Sequence, residues 1–248
     1  MKTIYIMWLR QLKRFMRSPA RMIGALGQPL LFFLALGYGF GSIFQQAGKG
    51  NYIEFLAPGI MGMSIIFAAV FSGMDLIWDR QFGFLKETLV APVGRFNIMM
   101  GRILGGATTA GGQGLLVLIL AIVLGFRPYS LYTFPLVIVM ALLVAFLFAA
   151  FGMLIGTLMR DMQGFPLVMN FVIMPLFFLS GAMFPLDTVP EALRIIATVD
   201  PLSYGVDALR LLLTGTSHFS IGLDIAVTVG VSFLFLLLGS MSFSRMQI

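Results

Sequence analysis

The side chains able to do chemistry are few, and they gather in two polar segments. Cysteine is absent and there is one histidine, His218. Thiolate metal sites and cysteine nucleophiles are therefore excluded, and a lone imidazole has no matching serine–histidine–carboxylate set to form a hydrolytic triad. No GxxxxGK[ST] loop occurs, so the chain has no P-loop for ATP. Thr109-Ala110-Gly111-Gly112-Gln113-Gly114 superficially resembles a Ser-Gly-Gly-Gln nucleotide signature. It lies within a long apolar run, where small residues serve close helix packing. Glu54 and Asp75 stand 21 residues apart, about 32 Å of helix, and so bracket a span rather than share a mid-membrane proton site.

The first polar segment is Asp79-Arg80-Gln81-Phe82-Gly83-Phe84-Leu85-Lys86-Glu87-Thr88-Leu89-Val90-Ala91-Pro92-Val93-Gly94-Arg95. It mixes charges with aromatic and aliphatic side chains and is predicted as one short helix over 79–94, ended by Pro92 and Gly94. Exposed aromatics among charges suit a docking knob for a soluble partner; a plain interfacial helix has the same composition. The second segment runs from Ser180 to Arg210. Pro185, Pro190 and Pro201 interrupt it, and Val189, Leu193 and Ile196 give an apolar face between breaks. It is predicted as two half-buried helices over 186–213 that dip into the membrane and return. Asp207 and Arg210, at i and i+3, can pair and lower their burial cost.

What must position these segments is a membrane bundle. Hydrophobic residues make up 59% of the 248 and charged residues 10%, with a mean hydropathy of +1.00. A soluble domain is nearer 45–50% apolar and about 25% charged, so a soluble fold and a disordered chain are both excluded. The net charge of +6 lies at the ends of apolar runs, which speaks against nucleic acid. A span needs about 20 apolar residues, and six are predicted: 22–46, 54–76, 99–125, 131–158, 163–184 and 223–244. Of the 16 Lys and Arg, alternate connections place twelve on one side (Lys2, Arg10, Lys13, Arg14, Arg17, Arg21, Arg80, Lys86, Arg95, Arg102, Arg160, Arg245). The other side has four (Lys49, Arg127, Arg194, Arg210). The richer side is the cytoplasm, which puts both termini there.

Residues 1–21 precede the first span. Arg10, Lys13, Arg14 and Arg17 share one helical face opposite Ile4, Trp8, Leu12, Phe15 and Met16, the pattern of a helix lying on the inner membrane surface with its cations toward anionic head groups. Gly101/Gly105 and Gly152/Gly156 are GxxxG pairs that allow close helix approach, within the chain or across a dimer. The fold class is thus an all-α integral membrane protein with one membrane domain over 1–248. A lipid-modifying membrane enzyme, a channel or secondary transporter and a structural membrane protein are the rival readings. Each lacks its requirement here: a catalytic cluster, an inner charged site or repeat, or any reason for two such marked polar segments.

Those two segments carry a resemblance. Ser-Gly followed by Phe-Pro, Pro190, Leu193, Asp200-Pro201-Leu202-Ser203-Tyr204 and Asp207-Ala208-Leu209-Arg210 resembles the membrane subunit of type 2 ATP-binding-cassette exporters. So does Asp79-Arg80, Phe82-Gly83, Leu85 and Leu89-Val90-Ala91-Pro92. The family usually has acidic residues where this chain has Gln81 and Lys86. The resemblance implies a permease without its own catalytic site, metal or cofactor; ATP and magnesium belong to a soluble ATPase partner, present in two copies. It also implies a second permease copy, as a homodimer or a related heterodimer, in the cytoplasmic membrane of a prokaryote. Asp79, Arg80, Gln81, Phe82, Gly83, Phe84, Leu85, Lys86, Glu87 and Pro92 would couple to the ATPase. Gly181, Pro185, Pro190, Pro201, Tyr204, Asp207 and Arg210 would shape an outer gate, and Met174, Phe177 and Phe178 would line the pathway. The wording from Arg80 to Pro92 is nearer drug exporters of the daunorubicin-resistance type, implying a hydrophobic small-molecule cargo; lipid or polysaccharide is the alternative.

Overall fold

The computed structural model describes residues 2–46, 51–90 and 92–246. Lys49, counted in the charge asymmetry, and Ala91, in the first polar segment, lie outside the described residues. Twelve α-helices run in the order α1 (Lys2–Met16), α2 (Pro19–Gly39), α3 (Gly41–Gln46), α4 (Tyr52–Phe71), α5 (Met74–Gln81), α6 (Phe84–Val90), α7 (Arg95–Val123), α8 (Phe134–Leu158), α9 (Gly164–Leu179), α10 (Glu191–Val199), α11 (Pro201–Thr214) and α12 (Ile221–Ser244). A 3-10 turn at Leu186–Thr188 precedes α10. Among the described residues there is no strand.

Among the described residues five helices are long and apolar enough to cross a membrane: α2, α4 continuing through α5, α7, α8 and α12. The span predicted over 163–184 is shorter than expected. Its helix, α9, has 16 residues, about 24 Å. The chain turns at Ser180, whose hydroxyl donates back to Phe177 O at 2.9 Å, and at Gly181, with φ +75. The span predicted over 22–46 likewise stops at Gly39 and restarts as α3, in a stretch where Gly37, Gly39 and Gly41 weaken helix continuity. Nor do residues 79–94 form one helix. Gly83 adopts φ +81, a left-handed geometry that glycine takes at little cost; it separates α5 from α6.

α4 is the centre of the bundle, packed on α2, α7, α8 and α11. Both GxxxG pairs are used within the chain. Gly101 and Gly105 receive α1, with Ile4 O and Met7 against the first and Gln11 against the second. Gly152 and Gly156 receive the main chain of Val70 and Gly73. A methyl group at Gly152 would overlap the carbonyl of Val70, a backbone atom that cannot rotate away. Gly152→Ala is expected to cost about 1–3 kcal/mol by overpacking, read as a lower melting temperature of the purified chain. Gly112→Ala on α7 should be nearly silent, because nothing lies within 4 Å of its Cβ position.

α1, α5 and α6 lie at one end of the bundle, termed proximal here; the α7–α8 connection and the 3-10 turn lie at the other, the distal end. α11 starts inside the bundle and climbs to the distal end: Gly205 packs on Val144, Val206 on Gly62, and near its C-terminus Leu213 O accepts from Tyr129 N at 2.8 Å. α10 and α11 meet at Asp200, whose extended backbone separates the two helices; the pair is termed the V. The apolar face of α10 is open: Leu193 and Ile196 are exposed and only Ala197 of this helix is buried.

Candidate functional site

Two polar constructions stand at opposite ends of the bundle. At the proximal end, Asp79 on α5 is the hub. Its Oδ1 accepts from Arg10 Nη2 of α1 at 3.0 Å and its Oδ2 from Arg102 Nη2 of α7 at 2.5 Å. Arg14 Nη1 lies 3.4 Å from Asp75 Oδ1 and 4.0 Å from Asp79 Oδ1. Two carboxylates, one helical turn apart on α5, thus join α1 to α7. Arg102 is 1% exposed, and its Nε and Nη1 have no hydrogen-bond partner. Its charge is balanced chiefly by Asp79. The cationic face of α1 is accordingly divided: Arg10 and Arg14 turn to α5 carboxylates, whereas Lys13 and Arg17 are exposed.

Beyond this hub the chain presents a projecting surface. Phe82, Phe84 and Val90 are exposed, and Trp78 stacks on Phe82 with ring centroids 5.1 Å apart. Lys86, Glu87 and Pro92 are exposed beside them, while Leu85 is fully buried and pins α6 to the bundle. Gln81 Nε2 donates to Arg160 O at 3.3 Å, and Arg80 is half-buried. Of the predicted coupling residues, Phe82, Phe84, Lys86, Glu87 and Pro92 therefore share one open surface. Asp79 and Leu85 face inward and hold it in place.

At the distal end each proline of the second segment opens an element: Pro185 precedes the 3-10 turn, Pro190 precedes α10 and Pro201 is the first residue of α11. This suits a residue with no N–H to donate and a fixed φ. Asp200 caps α11 by accepting from Leu202 N at 2.8 Å. Tyr204 Oη donates to Thr198 O at 2.7 Å, closing the V, and its ring stacks on Phe219. Asp207 accepts from the main-chain N–H of His218 and Phe219 at 2.9 and 2.8 Å. Arg210 Nη2 donates to Gly181 O at 2.9 Å, its guanidinium lies 4.2 Å over the Phe55 ring, and its Nη1 is 3.9 Å from Asp207 Oδ1. Of the predicted gate residues, Gly181, Asp207 and Arg210 are directly linked and Tyr204 joins them through Phe219, while Pro185, Pro190 and Pro201 stand at the starts of elements. His218, alone in the sequence reading, has Nδ1 3.0 Å from Asp187 Oδ1. Among the described residues no group of three or more His, Asp or Glu could hold a metal ion.

The three predicted lining residues differ in exposure. Phe177 is fully buried in the core, edge-on to Phe178 with centroids 5.5 Å apart; Phe178 is exposed and Met174 half-buried. At i, i+3 and i+4 they keep to one side of α9, and Phe177 stands at the edge of that face where the core covers it. Conversely, the sequence reading missed Arg102 as a buried partner, because it stands one residue before a charge-free run and reads as a boundary charge.

The comparisons with known proteins agree with this architecture. The chain is 29% identical over 215 residues to Nodulation protein J of Rhizobium leguminosarum bv. trifolii, covering 85% of this chain and 78% of that protein. It is 30% identical over 212 residues to Nodulation protein J of Rhizobium leguminosarum bv. viciae, covering 84% and 80%. It is 28% identical over 205 residues to the Inner membrane transport permease YadH of Escherichia coli K12, covering 82% and 79%. Residues 2–214, which include the proximal construction and the distal residues up to Arg210, match the family described as ABC-2 type transporter. This all-helical, multi-pass chain belongs to the ABC-2 type transporter family.

Proposed function

We propose that the chain is the membrane subunit of an ATP-driven exporter of a hydrophobic small molecule. It would work as two copies, with two soluble ATPase subunits that hold the ATP and magnesium. It would cross the inner membrane six times, α9 serving as the short sixth span, with both termini cytoplasmic. The observation that carries this reading is the exposed α5–α6 surface, aromatic and charged, held to the bundle by Asp79. A knob that meets a moving partner must be rigidly tied to what it moves, and Asp79 ties it to α7 and α1 at once. The membrane part is then a two-state element that the ATPases bias through their contacts with this knob. The similarity to the Inner membrane transport permease YadH supports an inner-membrane location, and the apolar spans favour a hydrophobic cargo over a polysaccharide.

The test is recovery of the tagged chain from its native membrane in mild detergent, followed by an assay for a bound soluble ATPase and its activity. An ATPase should come with the chain. Arg80→Glu with Lys86→Glu should release it. Gly83→Pro should do the same while insertion stays normal, since proline's φ of about −65° is incompatible with the +81 at Gly83. Transport at full rate in Gly83→Pro, or no ATPase under any condition, would overturn the assignment.

A further inference from the structure

Between α1, α2, α4 and α7, in the proximal half of the bundle, lies a cavity of about 250 Å³. Its lining on α4 runs from Met63 to Ser72, about 14 Å of helix. Phe67 and Phe71 of α4 and Phe15 of α1 form aromatic walls. Small residues create the space: Gly24 and Ala25 on α2, Ala68 on α4 and Gly106 on α7. A Cβ placed on Gly24 would meet nothing within 4 Å.

The polar content of this cavity exceeds what packing needs. Hydroxyl groups on membrane helices usually bond back to their own helix. Ser72 does so, donating to Ala69 O at 2.6 Å, and Thr109 does so to Gly105 O and Gly106 O. Ser64 does not. It is 1% exposed and its Oγ has no hydrogen-bond partner, although it lines the cavity. A buried polar atom without a hydrogen-bond partner is costly, so this hydroxyl is a ready partner for a polar group in the cavity. Gln113, which also lines it, spans to α2 by donating to Ala25 O at 3.1 Å, and Gln11 and Gln28 add two more amides.

The chemistry of the occupant follows. Arg14 and Asp75, the charged residues of the lining, pair with each other at 3.4 Å, so the cavity offers no net charge to an ion. Amides and a free hydroxyl suit carbonyl or hydroxyl groups, and the phenylalanines suit a flat apolar body. The volume is just under the roughly 300–1,000 Å³ of ordinary small-molecule sites, too small for a two-chain lipid with its headgroup. α2 is the least buried of the spans around the cavity, with 17% of its span buried against 72% for α4–α5 and 50% for α7. We infer that this cavity binds a compact, neutral, ring-containing amphiphile bearing a carbonyl or hydroxyl group, admitted from the surrounding leaflet past α2. Because Arg14 and Asp75 close its proximal end and belong to the Asp79 cluster, occupancy bears directly on the helix that carries the α5–α6 knob. Only the identification of that leaflet as the inner one rests on the function proposed above.

The test uses 4-hydroxybenzophenone, which has two aromatic rings, a ketone and a hydroxyl group, and on irradiation inserts readily into C–H bonds beside sulfur. Native membranes carrying the full chain are irradiated with it and the labelled positions are mapped by mass spectrometry. Saturable labelling at Met63 is expected, competed by excess diphenylmethanol. Gly24→Leu, which fills the cavity, should cut it at least about fivefold, whereas Gly27→Leu, on the same helix but outside the lining and equally unobstructed, should leave it unchanged. Ser64→Ala should raise the half-saturating concentration roughly 2–10-fold, the worth of one hydrogen bond. Should Gly24→Leu fail to accumulate, Ser64→Leu fills the cavity from the opposite wall and takes its place. Unsaturable labelling, or equal labelling in the filled and unfilled chains, would overturn the site. Neither result touches the ATPase assignment, which is read by co-purification alone.

Discussion

Asp79→Ala is expected to destabilise the chain by about 3–5 kcal/mol, the cost of leaving a buried charge without its partner. The stranded group is Arg102, 1% exposed, with two of its three nitrogens already unpartnered. At roughly 2–4 °C per kcal/mol for a chain of this size, the melting temperature in mild detergent should fall by about 6–20 °C. Arg10→Ala removes the other arm of the same carboxylate. Its side chain is 40% exposed, where a pair is worth about 0–1 kcal/mol, so its effect should be small. Asp79→Leu combined with Arg102→Met removes both charges and should recover most of the loss, since apolar replacements of a buried pair are often neutral or better. An Asp79→Ala chain that melts within 3 °C of the parent would remove Asp79 from its place as hub. If the double variant is stable yet the ATPase proposed to bind it no longer responds to cargo, the pair serves coupling rather than folding.

The same pair marks the boundary of what the sequence makes legible. The membrane bundle was readable, because a 59% apolar chain with charges at the ends of long runs has few other solutions. The prolines of the second polar segment were readable too, because Pro185, Pro190 and Pro201 each stand where a new element starts. Asp79 and Arg102 are 23 residues apart and Asp79 and Arg10 are 69 apart. Such pairings depend on how helices cross, which periodicity within one helix does not encode. The GxxxG pairs lie between: the close approach was evident, while the identity of the approaching helix, α1 for Gly101 and Gly105, was not. The lining residues on α9 keep the i, i+3, i+4 spacing of one helical face, but which part of that face the core covers depends on the neighbouring helices, and Phe177 is core. His218 looked isolated because its partner Asp187 is 31 positions away, across two helices.

At the distal end, asymmetry between two partners is the expected result. Asp207→Ala should cost about 3 kcal/mol or more, whereas Arg210→Met should cost about 1–2 kcal/mol, even though the two residues stand side by side on α11. Removing Asp207 leaves Arg210, 8% exposed, as a buried cation with only the Gly181 carbonyl and the Phe55 ring for support. It also frees the N–H groups of His218 and Phe219, which Asp207 holds at 2.9 and 2.8 Å. Removing Arg210 leaves Asp207 still accepting both of those bonds, and a methionine fills much of the same volume. Hydrogen exchange separates the consequences. In Asp207→Ala the amides of residues 218 and 219 should lose protection and the α11–α12 connection should loosen; in Arg210→Met those amides should stay protected, and loosening should appear at the Gly181 turn instead. An Arg210→Met chain as unstable as Asp207→Ala, or unchanged protection at 218 and 219 in Asp207→Ala, would mean that the distal cluster is held by packing of the α10–α11 V and not by its charges. The distal end of the bundle would then move by sliding of apolar surfaces, with Asp207 and Arg210 as passengers on α11.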